Sequence, residues 1–425
     1  MELTRLRGFQ DLIGPQVRAI SFIEEKARAL MERYAVREIR IPILERIELY
    51  VRSTGATSDI VEKQMYTVER RAESKGEGQM VLRPEGTPGV VRAYIEAGLD
   101  RSDPEQRFFY CGPMLRYERP QKGRYREFYQ FGVEVFGRAD AACDAELLIM
   151  IDDLRRELGL ELKMELNSLG CADCRPAFRQ AVLKYGRAHF AELCEDCHAR
   201  LERNPLRLLD CKIDAKLAAG APNSLDYLDE ACRKHFDTVR DLLNRAGVVF
   251  EVNPRIVRGL DYYMRTTFEI SSMALGAQNA VIAGGRYDGL IEELGGAPVP
   301  GIGFAIGLDR MALALLESSR KFEVAPEVAM IALGEAATAR ATEIAHRMRR
   351  ESNLTVEMLS PDRGLKALLK RADRIGARYA VIIGDNELAR GIAQVRELAH
   401  SRQQEIAIEE VAATIARELE KIASR

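Results

Sequence analysis

An α+β protein of two or three domains is what this sequence predicts, and three observations carry that expectation. The chain has 425 residues, more than one ordinary core holds. Two apolar runs, Phe108 to Leu115 and Phe128 to Val135, enclose a polar loop rich in arginine and glycine, the pattern of a β-hairpin. Beyond Pro326 three strand-like runs, VAMIAL, LTVEML and YAVIIG, alternate with helical patterns and end in a helix over Ile408 to Ile422, as in a small α/β domain. Hydrophobic residues at 47% and charged residues at 30% fit a soluble globular chain. A formal net charge of -2 excludes a generally basic nucleic-acid coat. No apolar run approaches a membrane span and the N-terminus lacks the apolar core of a secretory signal, so no membrane and a cytoplasmic location are expected.

Taken in order, Val17, Ile20, Ile23, Ala27 and Leu30 recur at helical spacing, with Asp11 or Gln16 as the helix start. EIRIPIL, Glu38 to Leu44, alternates and predicts a strand whose Pro42 favours an edge or an end. Met80 to Leu82 is a short strand running into a turn and an amphipathic helix. Glu85 and Thr87 sit where it ends, between Pro84, Gly86 and Pro88. Rigid neighbours there fix polar groups for a ligand, the alternative being a helix cap by Thr87 with Glu85 on the surface. The hairpin loop carries Arg116, Glu118, Arg119, Lys122, Arg124 and Arg126. Arginine forks suit phosphate or carboxylate, whereas a solvated tip of mixed charge is the plainer alternative. Asp144 to Leu158 reads as a helix and Leu160 to Gly170 as a strand.

Composition then changes. CADC and CEDCH present Cys171, Cys174, Cys194 and Cys197 as two CxxC pairs, the spacing of one structural zinc knot, with His198 as an extra ligand and Cys211 as a lone core cysteine. The alternative is reduced thiols in loops and small helical contacts. A long helix around Tyr227 to Leu243 closes the region. In VRGLDYYMRTTFE, Arg258 and Asp261 bracket Gly259, and Tyr262 and Tyr263 would face opposite ways in a strand. AGGRYDGL supplies a glycine turn with Arg286, Tyr287 and Asp288. PGIGFAIGLDR sets three glycines before a helix that begins with Asp309 and Arg310, and matches neither a P-loop nor GxGxxG.

These stretches form a set. With RGFQD at Arg7 to Asp11, LRPEGT at Leu82 to Thr87 and LRYERPQKGRYREFYQFGVE at Leu115 to Glu134, the chain resembles the histidyl-tRNA synthetase family of class II aminoacyl-tRNA synthetases over essentially its whole length. The resemblance implies a class II antiparallel sheet flanked by helices, a helical insertion and a C-terminal α/β anticodon-binding domain. The boundaries implied are 1–170 with 248–322 for a discontinuous catalytic domain, 171–247 for the insertion and 327–425 for the last domain. It implies a homodimer with its interface near the first helix and Pro42, and a histidine–tRNA ligase that forms histidyl-adenylate from L-histidine and ATP with Mg²⁺, then charges the tRNA. Arg116 would contact the α-phosphate, Glu118 the adenine and Arg310 the γ-phosphate. Glu85, Thr87 and Gln130 would hold the amino group of histidine, and Glu134 with Tyr263 its imidazole, beside Tyr262. Arg258 would face the carboxylate and the phosphate under attack, so Arg116 and Arg258 are the catalytic candidates.

Ala56 and Gln64 stand where family members carry acidic residues, Pro88 replaces a small residue and Asp309 a glutamate. The paired cysteines are no catalytic requirement of that family, which weighs against zinc. A regulatory paralogue without ligase activity and a plain RNA-binding module are the competing readings. The intact 257–263 and 283–290 stretches oppose the first, and separated arginines around an amino-acid pocket oppose the second.

Overall fold

The structure, a computed structural model, describes residues 3–54, 60–69, 78–257, 262–318, 320–322, 325–360, 362–400 and 402–423. The chain divides into two compact units, Met1–Phe322 and Glu323–Arg425.

In the first unit, among the described residues, four short strands precede the hairpin: β1 (Arg37–Glu38), β2 (Leu44–Arg46), β3 (Tyr66–Val68) and β4 (Met80–Leu82). The hairpin is β5 (Gln106–Leu115) and β6 (Glu127–Phe136), followed by β7 (Lys163–Ser168) and β8 (Glu251–Val252). Then come β9 (Met264–Ser271), β10 (Ala280–Arg286) and β11 (Gly301–Gly307). Among the described residues, one large sheet runs β1-β5-β6-β11-β10-β9-β7-β8 and a small one β2-β4-β3. The large sheet is antiparallel from β5 to β7 and parallel only at its edges.

Alternation decides what each face carries. On β6, Phe131, Val133 and Val135 enter a core shared with the helices Pro15–Arg33, Ala141–Leu158, Glu230–Arg245 and Leu308–Leu316. On β11, Ile302, Phe304 and Ile306 do the same. Gly132, Glu134, Gly301 and Gly303 are therefore left on the opposite face. There Tyr110, Tyr262, Tyr263 and Tyr287 pack with the helix Thr87–Glu96 and part of the segment 171–247.

Three expectations change. The first helix starts at Pro15 after Gly14, whose φ of 65° lets the chain turn, and neither Asp11 nor Gln16 caps it. EIRIPIL is not one strand: Arg83 Nη1 donates to the carbonyls of Ile41 at 2.7 Å and Pro42 at 3.3 Å, which takes them from any ladder. The glycine run before Arg310 is itself a strand, β11, between β6 and β10. Its bareness has a packing reason. A Cβ at Gly303 would strike the Glu134 carboxylate, and one at Gly284 would strike the Gly303 carbonyl.

The expected four-cysteine knot is also corrected. The helix Cys174–Ala188 stands between the two pairs, and 15 residues of helix span about 22 Å. Cys171 and Cys174 meet Asp229 and Cys232 instead, while Cys194 and Cys197 meet Cys211 and Asp214. Cys211 is thus no lone cysteine. His198 joins neither group: its Nε2 bonds the Phe190 carbonyl and its ring stacks on Phe190.

The second unit is a five-stranded sheet among the described residues. Its strands are β12 (Val328–Leu333), β13 (Val356–Met358), β14 (Tyr379–Gly384), β15 (Ile392–Glu397) and β16 (Arg402–Ala407). They run in the order β13-β12-β14-β15-β16, parallel across the first three and antiparallel beyond. Helices Glu335–Glu351, Leu365–Arg374 and Val411–Ala423 cover it.

Candidate active site

The Glu134 face of the large sheet opens into a cavity of about 360 Å³, the size of a small-molecule site. Glu85, Thr87, Gln130 and Tyr263 line one part of it, and Arg116, Glu118, Arg124 and Arg310 another. The structure thus gathers residues from the β4 end, the hairpin, the β9 approach and the helix after β11.

At the arginine end, main chain aims the side chains. Arg116 Nε donates to the Pro84 carbonyl at 2.8 Å, and its guanidinium lies over the Phe128 ring at 5.4 Å. Arg310 Nε donates to Gly123 O at 2.8 Å and its Nη1 to Ala280 O at 2.9 Å. Burial, and then the nearby Arg124, pull the Arg310 guanidinium below its ordinary value. Burial works against the Glu118 charge, yet the Arg124 hydrogen bond and the surrounding arginines hold its carboxyl below the usual range. With Glu118 answering Arg124, the charges of Arg116 and Arg310 on the same wall call for an anion to balance them.

Among the described residues, two acceptors around Glu85 and Gln130 lack a donor. Tyr262 donates to Glu85 Oε2 at 3.0 Å, but Glu85 Oε1 and Gln130 Oε1 are buried without a partner among the described residues. Burial raises the Glu85 carboxyl to about 7, against the pull of Arg116 and the Tyr262 bond. Glu134 sits just behind the wall, 1% exposed. It accepts from Thr87 Oγ1 at 2.7 Å and from the Tyr287 hydroxyl. Burial raises it to about 8, with the Tyr287 and Thr87 bonds opposing and the Glu85 charge adding to the rise. Buried acceptors left unpaired mark where a ligand brings its own donors.

Tyr262 and Tyr263 do not alternate across a strand, since β9 begins at Met264. Both are buried; Tyr263 lines the cavity while Tyr262 reaches Glu85. Gln64 lines the cavity too, and its carbonyl accepts from Tyr117 N at 2.7 Å. Asp309 accepts from the Tyr129 N–H at 2.7 Å. Arg258, Asp261 and Ala56 lie outside the described residues. Tyr287, Tyr110 and Arg207 line the cavity without having been singled out for it. Tyr287 belongs to the AGGRYDGL motif, whereas nothing in the sequence around Arg207, which reaches in from the segment 171–247, signals the cavity.

An antiparallel sheet with an arginine-lined cavity on one face, joined to a small α/β unit, defines a class II aminoacyl-tRNA synthetase architecture. Comparison with known proteins makes this particular. The profile described as "Histidyl-tRNA synthetase" matches residues 8–311, and that described as "Anticodon binding domain" matches 327–418. The histidine–tRNA ligase of Trichlorobacter lovleyi is 46% identical over 98% of both chains. That of Geobacter sulfurreducens is 47% identical over 97% of this chain and 100% of its own. The crystal structure of apo Staphylococcus aureus histidyl-tRNA synthetase superposes with a TM-score of 0.78 at 31% identity, covering 98% of this chain and 100% of that one. The chain belongs to the histidyl-tRNA synthetase family.

Proposed function

We propose that this chain is a histidine–tRNA ligase that activates L-histidine with ATP and transfers it to the 3′ end of its tRNA. The carrying observation is the polarity of the cavity: orphaned acceptors on Glu85 and Gln130 at one end, arginines at the other. An ammonium group supplies the donors that the first end lacks, and phosphates supply the charge that the second end calls for.

Glu85, Thr87 and Gln130 hold the α-amino group, and Glu134, steadied by Thr87 and Tyr287, takes the imidazole with Tyr263 and the Tyr262 ring beside it. An apolar analogue would leave Glu134 buried and unserved, which supports discrimination for imidazole. The carboxylate of histidine attacks the α-phosphorus, an O–P bond forms, and pyrophosphate leaves with the bonding pair. Arg116 and Arg258 offset charge on the transferring group, Glu118 reads the adenine, and Arg310 holds the far phosphate. No base is required, because a carboxylate is ionised at neutral pH. A ribose hydroxyl of the tRNA terminus then attacks the acyl carbon and AMP leaves.

Mg²⁺ fits as a companion of the triphosphate, where it neutralises phosphate charge. A protein cage does not suit it: of the carboxylates lining the arginine end, Glu118 is taken by Arg124 and Asp309 by the Tyr129 N–H.

The second unit binds the anticodon of the tRNA. The protein works as a homodimer in the cytoplasm. Exposed Ile13, Ile43 and Leu44 support an interface near the first helix and Pro42. No helix among the described residues is long and apolar enough to cross a membrane.

ATP–pyrophosphate exchange with Mg²⁺ and each amino acid in turn tests the reading. Exchange with histidine alone is expected; a folded, ATP-binding protein with no exchange would instead be a regulatory paralogue. Arg258→Ala should abolish exchange while sparing tRNA binding.

A further inference from the structure

Six of the cysteines lie in the segment 171–247, in two clusters that the aminoacylation chemistry does not use. In each, three sulfurs and one carboxylate oxygen lie within 4.8 Å of one another. Tetrahedral zinc, with Zn–S near 2.3 Å and Zn–O near 2.1 Å, sets sulfur–sulfur edges of about 3.8 Å and sulfur–oxygen edges of about 3.6 Å. The Cys171 and Cys174 sulfurs are 3.7 Å apart, and so are those of Cys194 and Cys211. Asp229 Oδ2 lies 3.2 Å from both Cys171 Sγ and Cys174 Sγ. The sulfur–sulfur distances match the edges of a coordination shell, with the sulfur–oxygen ones a little shorter, and far exceed the ~2.05 Å of a disulfide; all eight cysteines are free thiols.

Donors from the main chain and from Arg200 point at the sulfurs, and the carboxylates are held in place. The Asp229 N–H donates to Cys174 Sγ at 3.2 Å, the Asp214 N–H to Cys211 Sγ at 3.5 Å, and Arg200 Nη2 to Cys197 Sγ at 3.4 Å. Asp229 turns its other oxygen to the Cys232 N–H at 2.7 Å, and Asp214 accepts from the Cys194 N–H at 3.1 Å. Apolar packing around the first cluster is scant, little beyond Leu225 and Leu228. A core that small is held by a staple.

We propose that the segment carries two structural zinc sites, each tetrahedral with three cysteine thiolates and one aspartate. Cys171, Cys174, Asp229 and Cys232 form the first, Cys194, Cys197, Cys211 and Asp214 the second. Four protein ligands leave no open position for catalysis. The first site ties the two ends of the segment together. The second fastens the turn just after the short helix Pro205–Leu208, which carries Arg207 to the cavity wall.

Elemental analysis of the full chain, reconstituted with excess zinc and dialysed without chelator, is the test. Two zinc ions per chain are expected, one for each cluster, and Cys232→Ser and Cys211→Ser should each bring the count to one. Either variant can unfold the segment, so cobalt substitution of the unaltered protein supplies a second reading. Tetrahedral cobalt absorption with thiolate charge transfer is expected, and Asp229→Cys should raise that transfer at the first site by about a third as three sulfurs become four. A folded protein that falls short of two zinc ions per chain overturns the proposal. So does zinc content unchanged in both serine variants, or cobalt absorption without thiolate character.

Discussion

Asp144 and Glu134 are both buried carboxylates of the first unit, and each is hydrogen-bonded through both oxygens. Asp144 meets the fully buried Arg286 guanidinium and, at 2.8 Å, His235 Nε2. Glu134 meets neutral hydroxyls, those of Thr87, Tyr287 and Tyr110, with a second carboxylate, Glu85, nearby. Burial raises both, but around Asp144 the His235 and Arg286 bonds and charges win and hold the carboxyl below its ordinary value. Around Glu134 burial wins. A carboxylate that has its countercharge is finished and belongs to the scaffold; one denied it waits for a ligand.

The largest effect should come from removing the finished one. Asp144→Ala leaves Arg286 buried with the Arg138 carbonyl and Asp288, each 2.9 Å from Nη1, and strips the carboxylate from its Nε and Nη2. A loss of about 3–5 kcal/mol in urea denaturation is expected, or no stable fold. Next, Glu134→Gln should lower kcat/KM for histidine by about a hundredfold or more, with the ATP KM little changed. It should also stabilise the free protein at high pH, because a carboxyl raised from 4.5 to about 8 adds stability below 4.5 that is lost as pH rises through 8. The melting temperature of the variant should therefore gain on the parent across that window, and a pH-independent difference would break the contrast. For Asp144, held low, the stability contribution is present above the unfolded value of about 3.9 and lost as pH falls through its lower folded value. Smallest, Thr87→Val removes one of the hydroxyls on Glu134. Histidine KM should rise about five- to tenfold, the worth of about one hydrogen bond, with thermal stability nearly unchanged.

Much of the scaffold was readable because side-chain period alone encodes it. The hairpin Gln106–Phe136 shows its faces in the order of its residues, and the runs VAMIAL and YAVIIG of the second unit, buried on both faces, show as continuous apolar stretches. β11 was not readable as a strand. Gly301, Gly303 and Gly307 have no β preference, and what makes them a strand is the close approach of Glu134 and Gly284 from neighbouring strands. The arginine forks and the Glu85 turn stood out by residue type, so their gathering around one cavity was legible. Their polarity was not, since the rise at Glu134 depends on how much water the fold removes. The cysteine pairs were visible as local spacing, but Asp229 and Cys232 arrive only through tertiary folding, and nothing near Arg207 signals the cavity it reaches.

The bare main chain at Gly303 also limits what this pocket can become. Every side chain larger than hydrogen at that position meets the Glu134 carboxylate. A library randomised there should return glycine alone under selection for activity, however stable the host protein has been made. Any descendant that accepts a bulkier amino acid must make room on the tyrosine side of the pocket, at Tyr263 or Tyr287, so this wall works as a ratchet on substrate drift.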